Sequence, residues 1–232
     1  MGRSGIVVSI ITCTIREENI NNVFKNYKQQ SWKEKELIII LNKDSMDINR
    51  WIKKAKKYRN VQIYQLHEKA TLGDCLNFGI MKANDDIIAK FDDDDYYGPD
   101  YITSSMGAFK NKDISIVGKS SLYIYFKNNQ ALVYVPGNKN SITDSVAGAT
   151  LMFRKDVFQQ VQFEKVNQAE DYFFLEQCKE KGFNIYSTDH LHFAVIRQDA
   201  DKHTWKISDK DLMGWGEIIA YTDDFQSRVS SI

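Results

Sequence analysis

The sequence predicts an α/β protein with a Rossmann-like, mostly parallel central sheet flanked by helices, and a mixed C-terminal half. Three observations carry this. The first ninety residues alternate between short apolar runs and amphipathic stretches. The apolar runs are β-branched and uninterrupted by polar residues, as strands covered on both faces are. Beyond about residue 100 the alternation gives way to longer β-type runs and a turn signal.

IVVSIITC (6–13) is the first buried strand, and REENINNVFKNYKQQSW follows with Ile20, Val23, Phe24 and Tyr27 at helical spacing. ELIIIL (36–41) is the second strand and SMDINRWIKKAKKY the second helix. VQIYQL (61–66) is the third strand, and LGDCLNFGIMKAN a third helix with Leu72, Cys75, Leu76 and Ile80 on one face. DIIAKF (86–91) is the fourth strand, and it runs into four aspartates. This β-α-β-α-β-α-β order calls for a doubly wound sheet, whose ligands bind beyond the carboxyl ends of the strands. GPDYITSSMGAFK reads as a helix with Pro99 in its first turn. ISIVGKSSLYIYF and QALVYVPG, joined by KNN, read as a hairpin. VAGATLMFR reads as a strand, KDVFQQV as a helix, and AEDYFFLEQCKEKG as a stronger helix closed by Gly182. NIYSTDHLHFAVIRQD adds strand character. The stretch after it is irregular, and GEIIAYTDDFQSRVSSI is too short for a further domain. No repeat or Pro/Gly linker divides the chain, so residues 1–232 are expected to form one domain, with a nucleotide-type first half (1–95) and a mixed second half with a tail (96–232).

Thirty-one basic and thirty-one acidic residues give a formal net charge of zero, without the basic excess of a nucleic-acid binder. One basic cluster, WIKKAKKYR (51–59), reads as a solvated helix face, with Trp51, Ile52, Ala55 and Tyr58 on the other side. Cys13, Cys75 and Cys178 are odd in number and far apart, which fits a reducing compartment. No apolar run is long enough for a membrane span. A cytoplasmic protein is expected.

KFDDDDYYGPD (90–100) places four carboxylates at a strand end. A hard cation such as Mn²⁺ or Mg²⁺ takes carboxylate, phosphate and water oxygens. The strand's pleat would point Asp92 and Asp94 the same way. The plainer reading is an acidic loop with Asp95 or Asp100 capping a helix. Both stand on the residues alone. Glu170–Asp171 opens an amphipathic helix, where the dipole favours acids and a general base is also at home. Arg197, His203 and Lys206 lie within ten residues of one another and could line a diphosphate. Tyr96, Tyr97, Trp205 and Trp215 are aromatic candidates for contact with a ligand, although most aromatics pack in cores. No Walker lysine motif or GxGxxG is present.

In order, VVSIIT, ELIIIL with a polar turn, GDCLNFGI, DDIIAKFDDDDYYGPD and AEDYFF resemble the family 2 glycosyltransferases of GT-A fold, across roughly residues 6–210. The late HTWKI segment resembles Gram-positive enzymes of capsule and spore-surface glycosylation, including spore-maturation glycosyltransferases. The resemblance implies an inverting transfer from a nucleoside-diphosphate sugar, UDP-linked for preference, to a hydroxyl of a surface glycan or glycoconjugate. It implies a divalent cation (Mn²⁺ or Mg²⁺) held by Asp94, with His203 completing the shell, and Asp171 as catalytic base. The candidate donor-binding set is Thr12, Thr14, Arg16, Asn42, Lys69, Asn77, Asp92, Asp93 and Lys206.

The chain departs from the family pattern twice. The second strand ends in LNKDS, with Leu41 and Asn42 where an Asp often pairs with uracil; Asn42 offers both a donor and an acceptor. The loop CTIRE lacks the usual proline and tyrosine, so no aromatic is available there to stack on a base. Two other readings compete. One is a catalytically silent GT-A-fold protein of the spore or cell surface that binds nucleotide sugars or serves structurally. The other is a nucleotidyltransferase, which would want a glycine-rich basic loop where TCTIREEN has only Arg16.

Overall fold

The computed structural model describes residues 6–84, 86–198 and 207–230. The first half follows the predicted alternation: β1 (Val8–Thr14), α1 (Ile20–Gln29), β2 (Lys35–Leu41), α2 (Ile48–Ala55), β3 (Val61–Gln65), α3 (Leu72–Lys82) and β4 (Ile87–Lys90). All three neighbouring pairs, β1–β2, β2–β3 and β1–β4, are parallel. The pleat divides the apolar runs between two layers. Val8, Ile10, Leu37, Ile39 and Leu41 face the side holding Phe24 of α1 and Trp51 of α2. Ile11, Ile38 and Ile40 face the side holding Leu76 and Ile80 of α3. Burial on both faces is why these strands show no polar alternation. Gly79 lets α3 approach β1, since a Cβ there would meet the Ile11 side chain at 2.7 Å.

The second half comprises β5 (Tyr96–Tyr97), α4 (Tyr101–Ala108), β6 (Ile114–Gly118), β7 (Leu122–Phe126), β8 (Ala131–Val135), β9 (Ser141–Ile142), β10 (Met152–Arg154), α5 (Glu170–Glu180), β11 (Asn184–Ser187), β12 (Phe193–Arg197), α6 (Asp209–Met213), β13 (Glu217–Tyr221) and α7 (Phe225–Ser230). β10, β6, β11 and β9 extend the first sheet to the order β3-β2-β1-β4-β10-β6-β11-β9. β10 is antiparallel to both β4 and β6, and β6 is parallel to β11. The carboxyl ends of β1, β2, β3, β4, β6 and β11 therefore share one rim. A second sheet, β13-β8-β7-β12-β5, stands beside it.

Several expectations change. ISIVGKSSLYIYF is two strands in two sheets, because the chain crosses over at 119–121; the hairpin is β7–β8. KDVFQQV forms a 3-10 turn, Lys155–Gln159, and a second 3-10 turn, Gly148–Thr150, precedes a short β10. Pro99 precedes the helix rather than opening it: Asp100 is the N-cap residue of α4. Ile52, expected on the packed side of α2, is 40% exposed. The tail packs on the body. β13 pairs antiparallel with β8, and α7 buries Phe225 and Val229. Cys13 and Cys75, distant in sequence, meet thiol to thiol where β1 packs on α3, which raises the Cys13 pKa.

Candidate functional site

The site grows from the shared rim. Asp92–Asp95 leave the end of β4 with alternating burial: Asp92 and Asp94 are half-exposed, whereas Asp93 and Asp95 are buried. Each inward carboxylate is held. Asp93 accepts from Arg16 Nε at 3.1 Å, and also from the Arg16 Nη2 group and the Thr14 hydroxyl. Asp95 accepts from the Ile196 amide at 3.0 Å. The loop backbone is pinned from α1: Asn22 donates to the carbonyls of Asp93 and Asp95 (both 2.9 Å), and Asn26 to that of Asp95 (2.8 Å). Desolvation, with Asp94 nearby, raises the pKa of Asp93 and Asp95; Arg16 and Thr14 act against this at Asp93.

The outward pair meets cations. Asp94 lies 2.8 Å from Arg16 Nη1, and Asp92 lies 2.5 Å from Lys90 Nζ. Lys90, the last residue of β4, is only 5% exposed. Burial alone would lower its pKa, but Asp92, Glu170 and Asp171 more than offset this and the pKa is raised. Lys90 is ion-paired with Asp92 and lies near enough to Glu170 and Asp171 for both to raise its pKa. Tyr97 makes a second link: its hydroxyl accepts from the Asp92 amide at 2.8 Å and donates to the Ala149 carbonyl at 2.6 Å. Its ring stacks on Phe91, with centroids 3.8 Å apart.

Glu170 and Asp171 occupy the first turn of α5, behind Ala169, whose φ of 62° is left-handed. Alanine in that region is strained by about 1–2 kcal/mol. Glu170 is buried, and desolvation raises its pKa against the pull of Lys90. Asp171 is half-exposed, and its side chain lies on the backbone of Gly148 so closely that a Cβ there would fall 1.5 Å from Oδ2. Gly148 is the space that Asp171 uses.

The other expected residues have varied surroundings. Thr12 is buried in β1. Thr14 directs its hydroxyl to Asp93 and accepts from the Arg16 amide at 3.0 Å. Asn42 follows the end of β2 at the rim and donates from its side chain to the His67 carbonyl at 3.0 Å. Lys69 is exposed in the β3–α3 turn. Asn77 is a clamp on the chain: its amide donates to the Phe163 carbonyl at 2.8 Å, and its carbonyl accepts from the Phe163 amide at 2.9 Å. Arg197, considered for the phosphates, is buried and held by Asp209 at 3.2 Å and the Ile207 carbonyl at 2.9 Å, as a buried guanidinium must be. Tyr96 and Tyr97 are core residues, closed to a sugar. Asp100 accepts from the Ser31 hydroxyl and makes no side-chain cap, and Asp95 points inward, so neither caps α4 as the plainer reading required. His203, Trp205 and Lys206 lie outside the described residues. The sequence reading missed Lys90, Asn22, Asn26 and Gly148, and gave Tyr97 a ligand contact where its hydroxyl ties the Asp92 amide to the Ala149 carbonyl. It had one signal for Lys90, a cation closing an otherwise apolar strand.

The donor set suits a divalent cation. Asp92 and Asp94 present hard oxygens on the open side, and Arg16 already places positive charge against Asp94. Four aspartates, Glu170 and Asp171 face two cations, Arg16 and Lys90, so a diphosphate would enter an acidic site. Added positive charge would remove that repulsion. Among the described residues no three His, Cys, Asp or Glu side chains converge to hold a metal unaided. Phosphate and water oxygens would have to complete the shell, as is usual for Mg²⁺.

A mostly parallel sheet with an acidic loop at the rim after its fourth strand and a carboxylate pair facing that loop defines the GT-A class of nucleotide-sugar folds. The family model described as Glycosyl transferase family 2 matches residues 9–205, and the chain belongs to that family. Solved structures agree on the fold. TarS 1-349 of S. aureus superposes with a TM-score of 0.68 at 15% identity, over 82% of this chain and 60% of that one. The same protein in complex with UDP-GlcNAc gives 0.69 at 15% identity, over 84% and 59%. The mannosyltransferase PcManGT from Pyrobaculum calidifontis, in complex with GDP-Man and Mn²⁺, gives 0.58 at 14% identity, over 83% and 56%. The chain thus spans about 60% of the TarS segment it matches. No curated protein sequence matches it. Among the described residues no helix is long and apolar enough to cross a membrane.

Proposed function

We propose that this chain transfers a sugar, with inversion, from a nucleoside-diphosphate donor to a hydroxyl of a surface glycan or glycoconjugate. The observation that carries the reading is the meeting of the Asp92–Asp95 loop with Glu170–Asp171 around the buried Lys90. The UDP-GlcNAc and GDP-Man bound by the structural neighbours support a nucleotide-sugar donor. In this reading residues 1–95 bind the donor, and residues 96–232 build the acceptor side of the same domain.

Asp171 is the general base. It takes the proton from the acceptor hydroxyl as that oxygen attacks the anomeric carbon; the bond to the diphosphate breaks, and its electron pair leaves with the nucleotide. Asp94 is the carboxylate that would hold a divalent cation, which when bound supplies Lewis-acid stabilisation to the departing diphosphate. The Mn²⁺ of the mannosyltransferase supports this. Asp92 and Asp93 serve the ribose side of the donor. Asn42 and the turn at Thr12 and Thr14 serve the base, and Ile15, 54% exposed in that turn, offers an apolar surface where the family aromatic is missing. Lys90 keeps Asp92 and the start of α5 in register without touching the reacting atoms. The surface acceptor rests on the sequence's likeness to capsule and spore-surface enzymes.

Calorimetric titration of UDP, CDP, GDP and dTDP, each with and without Mn²⁺, tests the donor site on wild type and Asp94→Ala. Metal-dependent binding of UDP, lost in the variant, is expected. Failure of all four nucleotides to bind would remove the reading.

A further inference from the structure

The second sheet ends in an apolar edge. β13 pairs with β8 on one side, and among the described residues no strand pairs with its other side. Eleven large apolar side chains are exposed among the described residues, and four of them fall within seven consecutive positions: Trp215 (49%), Ile218 (45%), Ile219 (44%) and Tyr221 (70%). The pairing with β8 steps over Ile219, because Ile218 opposes Val133 and Ala220 opposes Leu132. Such a bulge breaks the pleat, so two successive isoleucines stand in solvent where alternation would turn one of them inward. Free edges in soluble proteins are usually guarded by lysine, by proline or by inward-pointing charge. This strand, EIIAY, has only Glu217, at its first position.

Charge and register name the occupant. From Leu212 to Ser227 the chain holds three acids, Glu217, Asp223 and Asp224, and no lysine or arginine. An anionic membrane or a nucleic acid is held by basic residues, and this patch would repel either. A second copy fits it. Antiparallel pairing of β13 with itself, centred on Ile219, sets Ile219 against Ile219, Ile218 against Ala220 and Glu217 against Tyr221. Apolar pairs meet across the strands and no like charges do. A formal net charge of zero leaves no overall repulsion between copies. Pairing also stops at two, because the far edge of the sheet is β5, two residues long and buried at both. We propose that the outer edge of β13 is a homodimer interface that joins the second sheets of two copies across a two-fold axis at Ile219. This goes beyond the transferase reading and does not depend on it.

Sedimentation velocity of the full chain reads the dimer. The range is roughly 1–100 μM, because a short strand and its flank fall below the size of a standard interface and associate weakly. Ile219→Lys sets like charges face to face on the axis and should leave the protein monomeric at every concentration. Ile142→Lys makes the same change on β9, the edge strand of the first sheet, where Ile142 is 55% exposed; it should dimerise as wild type does. Ile219→Cys tests the register without adding charge. Diamide, which takes up the two thiol hydrogens, should join two copies of that variant by a disulfide and leave wild type unlinked. A wild-type chain that stays monomeric throughout, a dimer that survives Ile219→Lys, or equal loss in both lysine variants overturns the proposal. So does assembly beyond two copies, or co-sedimentation of a monomeric chain with phosphatidylglycerol vesicles, which would give the patch to a lipid. Should Ile219→Lys fail to fold, absence of the Ile219→Cys link overturns the proposal by itself. UDP binding with Mn²⁺ should be unchanged in all three variants, so failure of the edge is distinguishable from failure of the donor site.

Discussion

Two lysines lie at the same rim, on either side of β10, and both are almost wholly buried: Lys90 at the end of β4 and Lys119 just after β6. Desolvation pushes both pKa values down, yet they finish on opposite sides of normal. At Lys90, Asp92, Glu170 and Asp171 more than offset burial. At Lys119 burial prevails and the pKa falls to about 8, because its acid, Asp189, is 3.6 Å away and part-exposed. Its close partners are neutral oxygens, the Thr188 hydroxyl at 3.1 Å and the Asp189 carbonyl at 2.7 Å. Burial therefore does not decide the state of a lysine here. The number of carboxylates brought to it does, and the β4 end of the rim collects them.

The largest effect should come from removing the acid assigned to chemistry. Asp171→Asn is expected to lower kcat by about 10²–10⁴-fold, the usual worth of a general base. Lys90 keeps Asp92 and Glu170, so the thermal midpoint and UDP affinity should stay near wild type. An unchanged kcat would remove Asp171 from the mechanism. A collapsed fold would mean that Lys90 needs all three acids.

Exchanging the lysines themselves separates the two regions next. Lys90→Met removes the ion-pair partner of Asp92 and the cation that opposes the raised pKa of the buried Glu170, and should cost up to about 3 kcal/mol. Lys119→Met leaves Asp189 in contact with water, and should leave stability at neutral pH unchanged or raise it by about 1 kcal/mol. Urea midpoints of the two variants measure this. Equal losses would show that burial, rather than the local count of acids, governs both sites.

How far the sequence foretells this contrast depends on the kind of information involved. ELIIIL and IVVSIIT declare buried parallel strands through composition alone, and the order of strands and helices then places the aspartates at the rim. Local pattern also reaches the alternation of Asp92 and Asp94 against Asp93 and Asp95, although the strand itself ends at Lys90 and the chain bends through 93–95. It does not reach the partners. Arg16 closes on Asp93 from 77 positions away, and Asn26 on Asp95 from 69. No periodicity links Lys90 to Glu170. The same limit misplaced Asn77 and Arg197, whose polar groups looked available in sequence and are spent on distant backbone and on Asp209. In the second half, ISIVGKSSLYIYF hides a change of sheet because Lys119, which would ordinarily mark an exposed turn, is itself buried.

The pH dependence of stability sharpens the comparison further. Lys119 titrates at about 8 when folded and near 10.5 when unfolded. Between those values the unfolded chain binds the proton and the native one does not, so stability rises with pH across that window. A tenfold difference in proton affinity between the two states is worth about 1.4 kcal/mol, so the whole rise reaches up to about 3 kcal/mol. Lys90 has the opposite sign: its folded pKa lies above 10.5, so its contribution is constant through the window and is lost only as pH climbs beyond it. The difference between wild type and Lys119→Met, followed from about pH 8 to about pH 10, isolates the first effect. A flat difference would mean that Lys119 keeps its proton, as Lys90 does.

The smallest expected effect concerns the backbone that presents the acids to Lys90. Ala169 holds φ at 62° immediately before Glu170, and on the Lys119 side His192 holds φ at 66°. His is several-fold enriched at positive φ relative to most residues, whereas Ala gains nothing there to offset its Cβ. Ala169→Gly should therefore stabilise the protein by up to about 1 kcal/mol, after glycine's greater chain entropy is subtracted. Because the same change frees the turn that fixes Asp171 over Gly148, kcat should fall modestly as the melting temperature rises. A variant that gained stability at full kcat would show that Asp171 is held by its contact with Gly148 alone, and that the strained alanine plays no part in setting the base.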